Sequence, residues 1–252
     1  MLMFYFSATG NSKYIAELFC QNMGASCHSI EENVDFTNLI ISEEIICFCY
    51  PIYSSRVPRL MREFALKYME VLKNKKFIIF CTQMYFSGDG ARAFTDIFPP
   101  NFVEIIYAEH FLMPNNVCNI FVTPLASNKM IQRYLSKANT KMQAACKNIR
   151  AGIIRRRGFN PFSRALGSIQ GVFISYIEKW AKNRVWIDND CNKCLLCVSL
   201  CPVDNFEYIT NKNKVKTKGH CMMCYRCINK CPKRAIAVFF HGKIKKQYSG
   251  VN

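Results

Sequence analysis

Two cysteine runs near the end of the chain have the residue type and the spacing of metal ligands. Residues 191–202 and 221–232 both read C-x-x-C-x-x-C-x-x-x-C-P, and because they begin 30 residues apart they form an internal repeat. At this spacing, the first three cysteines of a run bind one [4Fe–4S] cube, and the fourth, followed by proline, binds the other cube. The repeat therefore predicts two clusters. The predicted ligands are Cys191, Cys194, Cys197 and Cys231 for cluster 1, and Cys221, Cys224, Cys227 and Cys201 for cluster 2.

Zinc and disulfides are the alternative uses for these cysteines. A structural zinc site closes with four ligands and has no use for a third cysteine and a Cys-Pro pair in each run. Disulfides belong to oxidising compartments, whereas residues 1–6 lack the basic segment and the cleavage site of a signal peptide. The longest weakly polar run, residues 166–177, is too short to cross a bilayer. We therefore expect a cytoplasmic protein with reduced thiols and no integral membrane segment.

The chain is strongly basic, with a formal net charge of +17 from 34 Lys and Arg residues against 17 Asp and Glu residues. The excess is concentrated in residues 129–186, where Glu178 is the single acid among thirteen basic residues. Such a surface suits an acidic redox partner, while salt-dependent binding to nucleic acid or to an anionic membrane is the alternative. We expect the acidic partner, because the charges of residues 129–155 fall on the polar side of an amphipathic helix.

A second candidate site lies at the start of the chain. A short apolar strand at residues 2–6 runs directly into Ser7-Ala8-Thr9-Gly10-Asn11-Ser12, and a helical pattern follows to residue 23. A strand, a loop of small hydroxyl residues and a helix N-terminus bind phosphate well, because backbone N–H groups and the helix dipole favour an anion. The loop is not a Walker A loop, since no Gly-Lys pair precedes Ser12, and it is not GxGxxG. A simple helix N-cap is the alternative interpretation.

Further apolar runs alternate with helical patterns along the first part of the chain. Residues 45–50 and 77–81 read as continuous buried strands, and weaker strands are expected near residues 27–30 and within 103–113. This alternation indicates a parallel sheet covered by helices on both faces. In such sheets a ligand binds beyond the carboxyl ends of the strands, where the strand order reverses. The fold class is therefore α/β, with a doubly wound five-stranded parallel sheet followed by a small α+β domain that holds the cysteine repeat.

The chain is expected to divide before the cysteine repeat. The predicted limits are residues 1–157 for the first domain, 158–186 for a linker with a bridging helix, and 187–252 for the cysteine-rich domain. Glycine and proline interrupt residues 158–171, so the bridging helix is expected only from residue 172 to residue 181. An interfacial membrane helix is the alternative for this segment. The seven cysteines outside the repeat are expected to be small buried hydrophobes.

These patterns resemble two kinds of known protein. The repeat resembles the bacterial two-cluster ferredoxins over about sixty residues, and the loop at residues 7–12 resembles the phosphate loop of flavodoxins, with Ser12 in place of the final threonine. With residues 53–58, the chain resembles the family of ferredoxins with an N-terminal flavodoxin-like domain. This resemblance implies an FMN site made by the loops after three strands. The residues it implies are Ser7, Ala8, Thr9, Gly10, Asn11, Ser12, Pro51, Tyr53, Ser54, Thr82, Tyr85 and Gly88.

The resemblance also implies roles for these residues. Residues 7–12 would hold the phosphate, Tyr53 and Tyr85 would lie against the flavin ring, and Thr82 and Gly88 would contact its edge through the backbone. Ordinary aromatic packing is the alternative for the two tyrosines.

The implied function is electron transfer between two [4Fe–4S] clusters and a bound FMN, in a cytoplasmic redox carrier. A flavin-dependent reductase of a small-molecule acceptor is one alternative. Its nearest acid is Asp89, although aspartate before glycine is usually turn chemistry. An iron–sulfur protein that docks on nucleic acid or on an anionic membrane is the other alternative.

Overall fold

The computed structural model describes residues 1–53, 55–85, 88–119 and 124–251. Within them the strands are β1 (Leu2–Tyr5), β2 (Ser26–Ser29), β3 (Ile45–Pro51), β4 (Lys76–Gln83), β5 (Glu104–Leu112), β6 (Arg155–Arg156), β7 (Val185–Ile187), β8 (Phe206–Ile209), β9 (Lys214–Thr217) and β10 (Ile236–Val238). The helices are α1 (Asn11–Met23), α2 (Thr37–Ser42), α3 (Arg59–Lys67), α4 (Met69–Leu72), α5 (Arg92–Thr95), α6 (Asn128–Arg150), α7 (Pro161–Ala181), α8 (Leu196–Leu200) and α9 (Arg226–Lys230).

The first six strands form one parallel sheet in the order β2-β1-β3-β4-β5-β6. The order reverses between β1 and β3, which is the switch point where doubly wound sheets bind ligands. The predicted α/β class, with a doubly wound parallel sheet and a smaller C-terminal domain, is confirmed. The sheet has six strands rather than five, because β6 adds a two-residue edge strand in which Arg155 pairs with Tyr107. A run of two arginines has no apolar pattern by which to recognise a strand.

Side chains of the sheet alternate between two apolar layers. One layer is rich in phenylalanine, and the ring centroid of Phe48 on β3 lies 5.0 Å from that of Phe77 and 4.6 Å from that of Phe94. On the other face, α1 and α6 cover smaller side chains, including Cys47 and Cys49 of the same strand. The cysteines outside the repeat thus behave mostly as small hydrophobes. Those that are buried are Cys20, Cys47, Cys49, Cys81 and Cys146, and those that are half-buried are Cys27 and Cys118.

Helix α7 begins at Pro161, well upstream of its predicted start. Its first turn is capped, because Asn160 Oδ1 accepts a hydrogen bond from Ser163 N (2.8 Å) and proline is favoured there. The glycines that predict a break instead allow close packing, since a Cβ on Gly167 would lie 1.8 Å from Asp89 Oδ1. The predicted helix is therefore too short. No helix among the residues that the structure describes is long and apolar enough to cross a membrane.

The C-terminal domain pairs strands in two small antiparallel sheets. β7 pairs with β10, and β8 forms a hairpin with β9 that turns through a 3-10 turn at Thr210–Lys212. Helices α8 and α9 each begin one residue before the third cysteine of a run, so they contain Cys197 and Cys227. Five of the eight cysteines pack against a shared apolar core, which includes Val185, Val215, Phe206, Ile228 and Ile236.

After β10 the chain returns to the first domain. The Tyr248 ring is buried in the layer that α1 and α6 cover, and its Oη donates a hydrogen bond to Asn11 Oδ1 (2.7 Å). Its backbone N–H donates to Asn229 Oδ1 (2.7 Å). Val251 then lies over Gly10, where a Cβ would be 3.3 Å from Val251 O. The C-terminal segment thus joins the two domains beside the loop after β1.

Candidate cofactor sites

A cleft of about 660 Å³ lies at the carboxyl ends of β1, β3, β4 and β5. Residues of α7 and of the C-terminal domain line it as well. Sites of about 300–1,000 Å³ are usual for drug-sized ligands. Nine of the twelve residues implied for the flavin site line this cleft: Ser7, Ala8, Thr9, Asn11, Ser12, Pro51, Tyr53, Thr82 and Tyr85. Ser54 lies outside the described residues. Gly10 and Gly88 are described by the structure but do not line the cleft.

The loop after β1 has the conformation of an anion-binding loop. Gly10 adopts a φ of 101°, which glycine tolerates, directly before the first residue of α1. Ser7 Oγ accepts a hydrogen bond from Gly10 N (3.2 Å), and Ser12 Oγ lies 2.7 Å from Thr82 Oγ1 at the end of β4. The first N–H groups of a helix have no partner within the helix. Those of α1 are therefore free to bind a phosphate from the loop side.

Side chains of this loop hold it in place. Asn11 Nδ2 donates a hydrogen bond to Pro114 O (2.8 Å), while its Oδ1 accepts from Tyr248. Thr9 Oγ1 accepts from Asn116 Nδ2 (3.1 Å). The Asn11 amide is therefore already engaged on both sides. A phosphate at this loop would be bound by backbone N–H groups and by the hydroxyl groups of the loop instead.

The loops after β3 and β4 place their tyrosines differently. The backbones of Tyr53 and Arg56 exchange two hydrogen bonds (3.1 and 3.0 Å) around Ser55, which adopts a φ of 64°. Tyr53 Oη is buried, and it has no hydrogen-bond partner among the described residues. Burial raises the pKa of this phenol well above its usual value. Tyr85 is instead 62 % exposed at the rim of the cleft.

Gly88 does not contribute to the cleft. Its N–H donates to Ser55 Oγ (3.0 Å) and to Gln170 Oε1 (3.3 Å), and a Cβ on Gly88 would lie 2.6 Å from Ser163 O on α7. The expected contact of Gly88 with the edge of the flavin ring is therefore replaced by helix packing. Asp89 beside it is buried against Arg92, with 2.6 Å between Oδ2 and the guanidinium, so its carboxylate has a structural partner.

Other cleft residues were not identified from the sequence. Asn116 follows β5 at the same carboxyl edge, so the rule that identified the other three loops could have found it. Trp180 of α7 and Tyr225 and Phe239 of the C-terminal domain also line the cleft. No local pattern indicates these three, because they reach the cleft only through the packing of one domain on the other.

The cleft residues fit FMN. Tyr53 Oη and Tyr225 Oη are both buried without a hydrogen-bond partner in the described parts of the chain, and an unpaired buried hydroxyl costs about 1–3 kcal/mol. The walls are largely apolar and aromatic, and the phosphate loop lies at one end. Among the described lining residues none is Asp, Glu, His, Lys or Arg, so any anion there is bound by neutral donors.

The predicted ligands of cluster 1 gather around one small cavity in the C-terminal domain. The pKa of the Cys197 thiol is raised to about 11, mainly by burial and in part by the negative charges of Cys191, Cys231 and Cys194. Cys231 therefore lies with the first run, although it belongs to the second run in the sequence. Cys194 is exposed to solvent.

The predicted ligands of cluster 2 gather in the same crossed manner. Burial raises the pKa of Cys221 to about 11 and that of Cys224 to about 12, and the charge of Cys201 contributes to both increases. Burial also raises the pKa of Cys227 well above its usual value. Buried thiols of this kind ionise only beside a cation, and metal binding releases their protons. Among the residues that the structure describes, no group of three or more His, Cys, Asp and Glu side chains has the geometry of a single-ion site.

The backbone of the two cysteine loops repeats residue by residue. Three pairs of non-glycine residues, each 30 positions apart, share a left-handed φ: Lys193 and Met223 (both 58°), Leu195 and Tyr225 (61° and 63°), and Asp204 and Arg234 (50° and 52°). Four backbone N–H groups donate to sulfur: Lys193 to Cys191 (3.4 Å), Met223 to Cys221 (3.4 Å), Asn205 to Cys201 (3.2 Å) and Ala235 to Cys231 (3.4 Å). Hydrogen bonds to sulfur stabilise thiolate charge and tune cluster potentials. The residues present therefore fit iron–sulfur clusters.

Arg226 connects the cluster 2 loop to the loop after β1. Its Nη2 donates to Ser7 O (2.9 Å) and its Nε to Ala8 O (3.2 Å), while the Glu31 carboxylate accepts from Nη1 (2.7 Å) and Nη2 (2.6 Å). Its Nη1 also donates to Leu200 O (3.1 Å). One guanidinium between two cluster ligands in the sequence thus binds the carbonyl groups of the phosphate loop.

A second connection runs through Asn116. Its Nδ2 donates to Thr9 Oγ1 (3.1 Å) and to Cys224 O (3.3 Å), and its own carbonyl accepts from Asn229 Nδ2 (2.8 Å) on α9. Thr9 of the phosphate loop and the backbone of Cys224 are therefore joined through a single side chain.

Comparisons with known proteins agree with this architecture. The model of the flavodoxin domain matches residues 2–166, and the model of the 4Fe-4S dicluster domain matches residues 184–232. No curated protein matches the chain.

Several solved structures are similar to the first part of the chain. The two-electron reduced flavodoxin of Megasphaera elsdenii is 17 % identical, with a TM-score of 0.39 over 56 % of this chain and 99 % of the other. General stress protein 14 of Treponema denticola, in complex with FMN, is 12 % identical, with a TM-score of 0.41 over 58 % and 96 %. The Trp repressor binding protein of Bacillus subtilis is 14 % identical, with a TM-score of 0.41 over 55 % and 96 %.

The family models identify both parts of the chain. A flavodoxin domain indicates FMN, a 4Fe-4S dicluster domain indicates iron–sulfur clusters, and the two together support electron transfer. The resemblance to ferredoxins with an N-terminal flavodoxin-like domain is thereby confirmed. The flavodoxin model covers more than half of the chain. The protein therefore belongs to the flavodoxin domain family, and its flavodoxin domain is followed by a 4Fe-4S dicluster domain.

Proposed function

We propose that this protein transfers electrons between two [4Fe–4S] clusters and one FMN held in the cleft between its domains. One observation carries the proposal: the cysteine loop for cluster 2 both lines the cleft, through Met223 and Tyr225, and binds the phosphate loop through Arg226. The residues for a flavin and those for a cluster are therefore neighbours. Bound clusters supply one-electron steps, and FMN connects them to one- or two-electron chemistry.

The chain's own residues divide the work of binding. The proposed cluster ligands are the two crossed cysteine quartets, and the proposed flavin site consists of residues 7–9 and 11–12 with Pro51, Tyr53, Thr82 and Tyr85. The apolar core of the C-terminal domain packs against Cys197, Cys201, Cys221, Cys227 and Cys231 and shields them in part from water. The proposed domain limits follow residues 157 and 186, with α7 as the bridging helix between them.

The lining of the cleft favours an electron carrier over a reductase with its own proton chemistry. Reduction of most organic acceptors needs a proton donor near the substrate. The tyrosines are the only aromatic side chains in the described lining that carry an acidic O–H group. Burial raises the pKa of Tyr53 and Tyr225 above the usual value, which makes both weaker proton donors. Asp89, the acid nearest in sequence, faces Arg92.

Cluster 1 is the proposed point of contact with a redox partner. Cys194 and the neighbouring residues Lys193 and Leu195 are exposed. The chain carries a formal charge of +17, so an acidic partner protein would be attracted to it. Electrons would enter or leave at the exposed cluster and reach the flavin by way of the enclosed one. We propose that this exchange takes place in the cytoplasm.

Anaerobic purification followed by analysis of iron, sulfide and flavin tests the proposal. We expect about eight irons, about eight sulfides and one FMN per chain. After addition of a limiting one-electron reductant, the cluster and flavin absorption bands should both bleach and then re-equilibrate. If iron is present without flavin, the protein is a ferredoxin with a docking domain rather than a carrier with a flavin. A protein that binds zinc in place of iron would contradict the proposal altogether.

A further inference from the structure

Helix α7 exposes large apolar side chains along one face. Phe162, Ile169, Val172, Tyr176 and Trp180 recur at steps of three, four or seven residues, which places them on one stripe of a helix about 30 Å long. Phe162 and Tyr176 are each 73 % exposed and Ile169 is 71 % exposed. A stripe of this length on the surface of a protein marks an interaction site.

The opposite face of α7, which packs on the protein, consists largely of small or polar side chains. Ser163 and Gly167 pack against Gly88 and Asp89, and Gly171 O accepts a hydrogen bond from Arg56 Nε (3.0 Å). Among the side chains that the structure describes, small residues thus let the helix lie close to the flavodoxin domain, while several of its large residues remain exposed.

Four exposed basic residues lie on the helix or directly after it. Arg164 and Lys179 belong to α7, and Lys182 and Arg184 follow it. The Arg184 guanidinium lies 4.0 Å from the centre of the Trp180 ring, so an aromatic ring and a cation meet at the end of the stripe. Aromatic rings beside cations are the usual composition of a surface that lies at a membrane interface.

We propose that this face of α7 binds the surface of an anionic lipid bilayer, lying in the plane of the headgroups. A basic rim with an apolar stripe matches an anionic surface over an apolar interior. A second copy of the chain fits less well, because each copy carries a net charge of +17 and the two would repel each other.

The proposed surface adjoins the flavin cleft. Trp180 belongs both to the stripe and to the lining of the cleft, and the exposed ring of Phe240 lies at the same cleft. Docking through α7 would therefore bring the opening of the cleft to the lipid headgroups. Binding itself depends only on α7 and its rim, so it can hold or fail independently of the proposed electron transfer.

Co-sedimentation of the cofactor-loaded full-length protein with vesicles tests the proposal. The probes are vesicles of phosphatidylcholine alone and of phosphatidylcholine mixed with phosphatidylglycerol. We expect binding to the mixed vesicles only, and a decrease of about tenfold in the partition coefficient for Ile169→Asp. The matched control is Ile41→Asp, which changes an exposed isoleucine on α2 and should bind as the unaltered protein does. Iron and flavin contents equal to those of the unaltered protein show that each variant is folded.

Three results would overturn the proposal. The first is no sedimentation with anionic vesicles at low salt. The second is equal binding by Ile169→Asp and the unaltered protein, which would assign the affinity to diffuse positive charge alone. The third is a dimer in light scattering that Ile169→Asp dissociates while vesicle binding is absent, which would assign the stripe to contact between two copies.

Discussion

The two cysteine loops of the C-terminal domain can be compared position by position, because their backbones repeat. Between the first three cysteines the loop for cluster 1 has Asn192, Lys193, Leu195 and Leu196, whereas the loop for cluster 2 has Met222, Met223, Tyr225 and Arg226. In the first loop Cys194 is exposed, while in the second Cys224 is only 7 % exposed and Tyr225 only 4 %. The same ligand geometry is thus presented once to solvent and once to the flavodoxin domain.

The comparison separates two kinds of information in the repeat. Cysteine spacing and three left-handed residues per loop determine the backbone, and these are common to both loops. The residues between the cysteines determine the surroundings, because Met222 packs in the core of the flavodoxin domain and Arg226 binds its phosphate loop. One motif therefore gives an inner and an outer cysteine loop through the residues between its cysteines, and on the proposed assignment these would hold an inner and an outer cluster.

The largest difference between the quartets should follow from serine substitutions at equivalent ligands. Cys224→Ser removes a ligand from the interface, so we expect loss of up to about four irons together with most of the FMN. Cys194→Ser removes the exposed equivalent, and we expect a similar loss of iron with FMN affinity within about twofold of the original. Iron analysis and FMN titration measure both effects. Cys118→Ser, outside the quartets, is the control, and equal loss of FMN from both ligand variants would contradict the comparison.

Arg226→Met tests how the inner loop holds the phosphate loop. The substitution leaves the Glu31 carboxylate and the carbonyls of Ser7 and Ala8 without their donor. We expect the Kd for FMN to rise by about 10-fold to 100-fold, because the half-buried carbonyl groups of the loop lose the donor that fixes them. Lys230→Met on the same helix removes an exposed cation and should leave the Kd unchanged. If both variants bind FMN as tightly as the unaltered protein, the hydrogen bonds from Arg226 to Ser7 and Ala8 have no role in the flavin site.

Tyr225→Phe sharpens the same comparison with a smaller change. Tyr225 lines the cleft and its hydroxyl is buried, so its removal should weaken FMN binding by about threefold to tenfold if that hydroxyl turns to the bound ring. Fluorescence titration gives the Kd, and the flavin reduction potential should shift with it. The control is Tyr208→Phe, whose hydroxyl donates to Asn213 Oδ1 (2.8 Å) far from the cleft. Tighter binding by Tyr225→Phe would show that the hydroxyl makes no bond to the flavin.

The smallest expected effect concerns the charge of the outer loop. Lys193→Glu reverses an exposed charge beside cluster 1, so reduction by anionic dithionite should slow by about twofold to threefold at low salt. The difference should vanish at high salt, where the charges are screened. Stopped-flow absorbance measures the rate, and Lys129→Glu on α6 is the distant control. If both variants slow the reduction by dithionite equally, the effect comes from the net charge of the protein and not from the outer loop.

Much of the first domain could be predicted because its signals are local. Continuous apolar runs such as β3 and β4 are long enough to indicate buried parallel strands, and Ser7 to Ser12 directly joins a strand to a helix. The two-residue strand β6 and the upstream half of α7 could not be predicted. Gly167 reads as a helix breaker in the sequence, and only the approach of Asp89 shows that it is a contact residue.

The flavin cleft shows the same division. Nine residues of the three predicted loops line it, because carboxyl ends of parallel strands necessarily meet at one edge. Gly88 was expected there by its position in a loop, yet its N–H is bound to Ser55 and Gln170. Tyr225 and Trp180 could not be foreseen, since each belongs to an element that reaches the cleft from another part of the chain.

By itself, the sequence determined the parallel strands, the strand–loop–helix unit at residues 2–23 and the repeated cysteine loops, since each depends on spacing within a short segment. The tertiary structure alone decided which cysteine loop packs on the flavodoxin domain, which side of α7 is buried and where the C-terminal segment ends. Those outcomes depend on contacts such as Arg226 with Ser7 and Tyr248 with Asn11, whose partners are more than two hundred residues apart. Short-range spacing carries no information about such pairs, because packing of one domain on the other selects them.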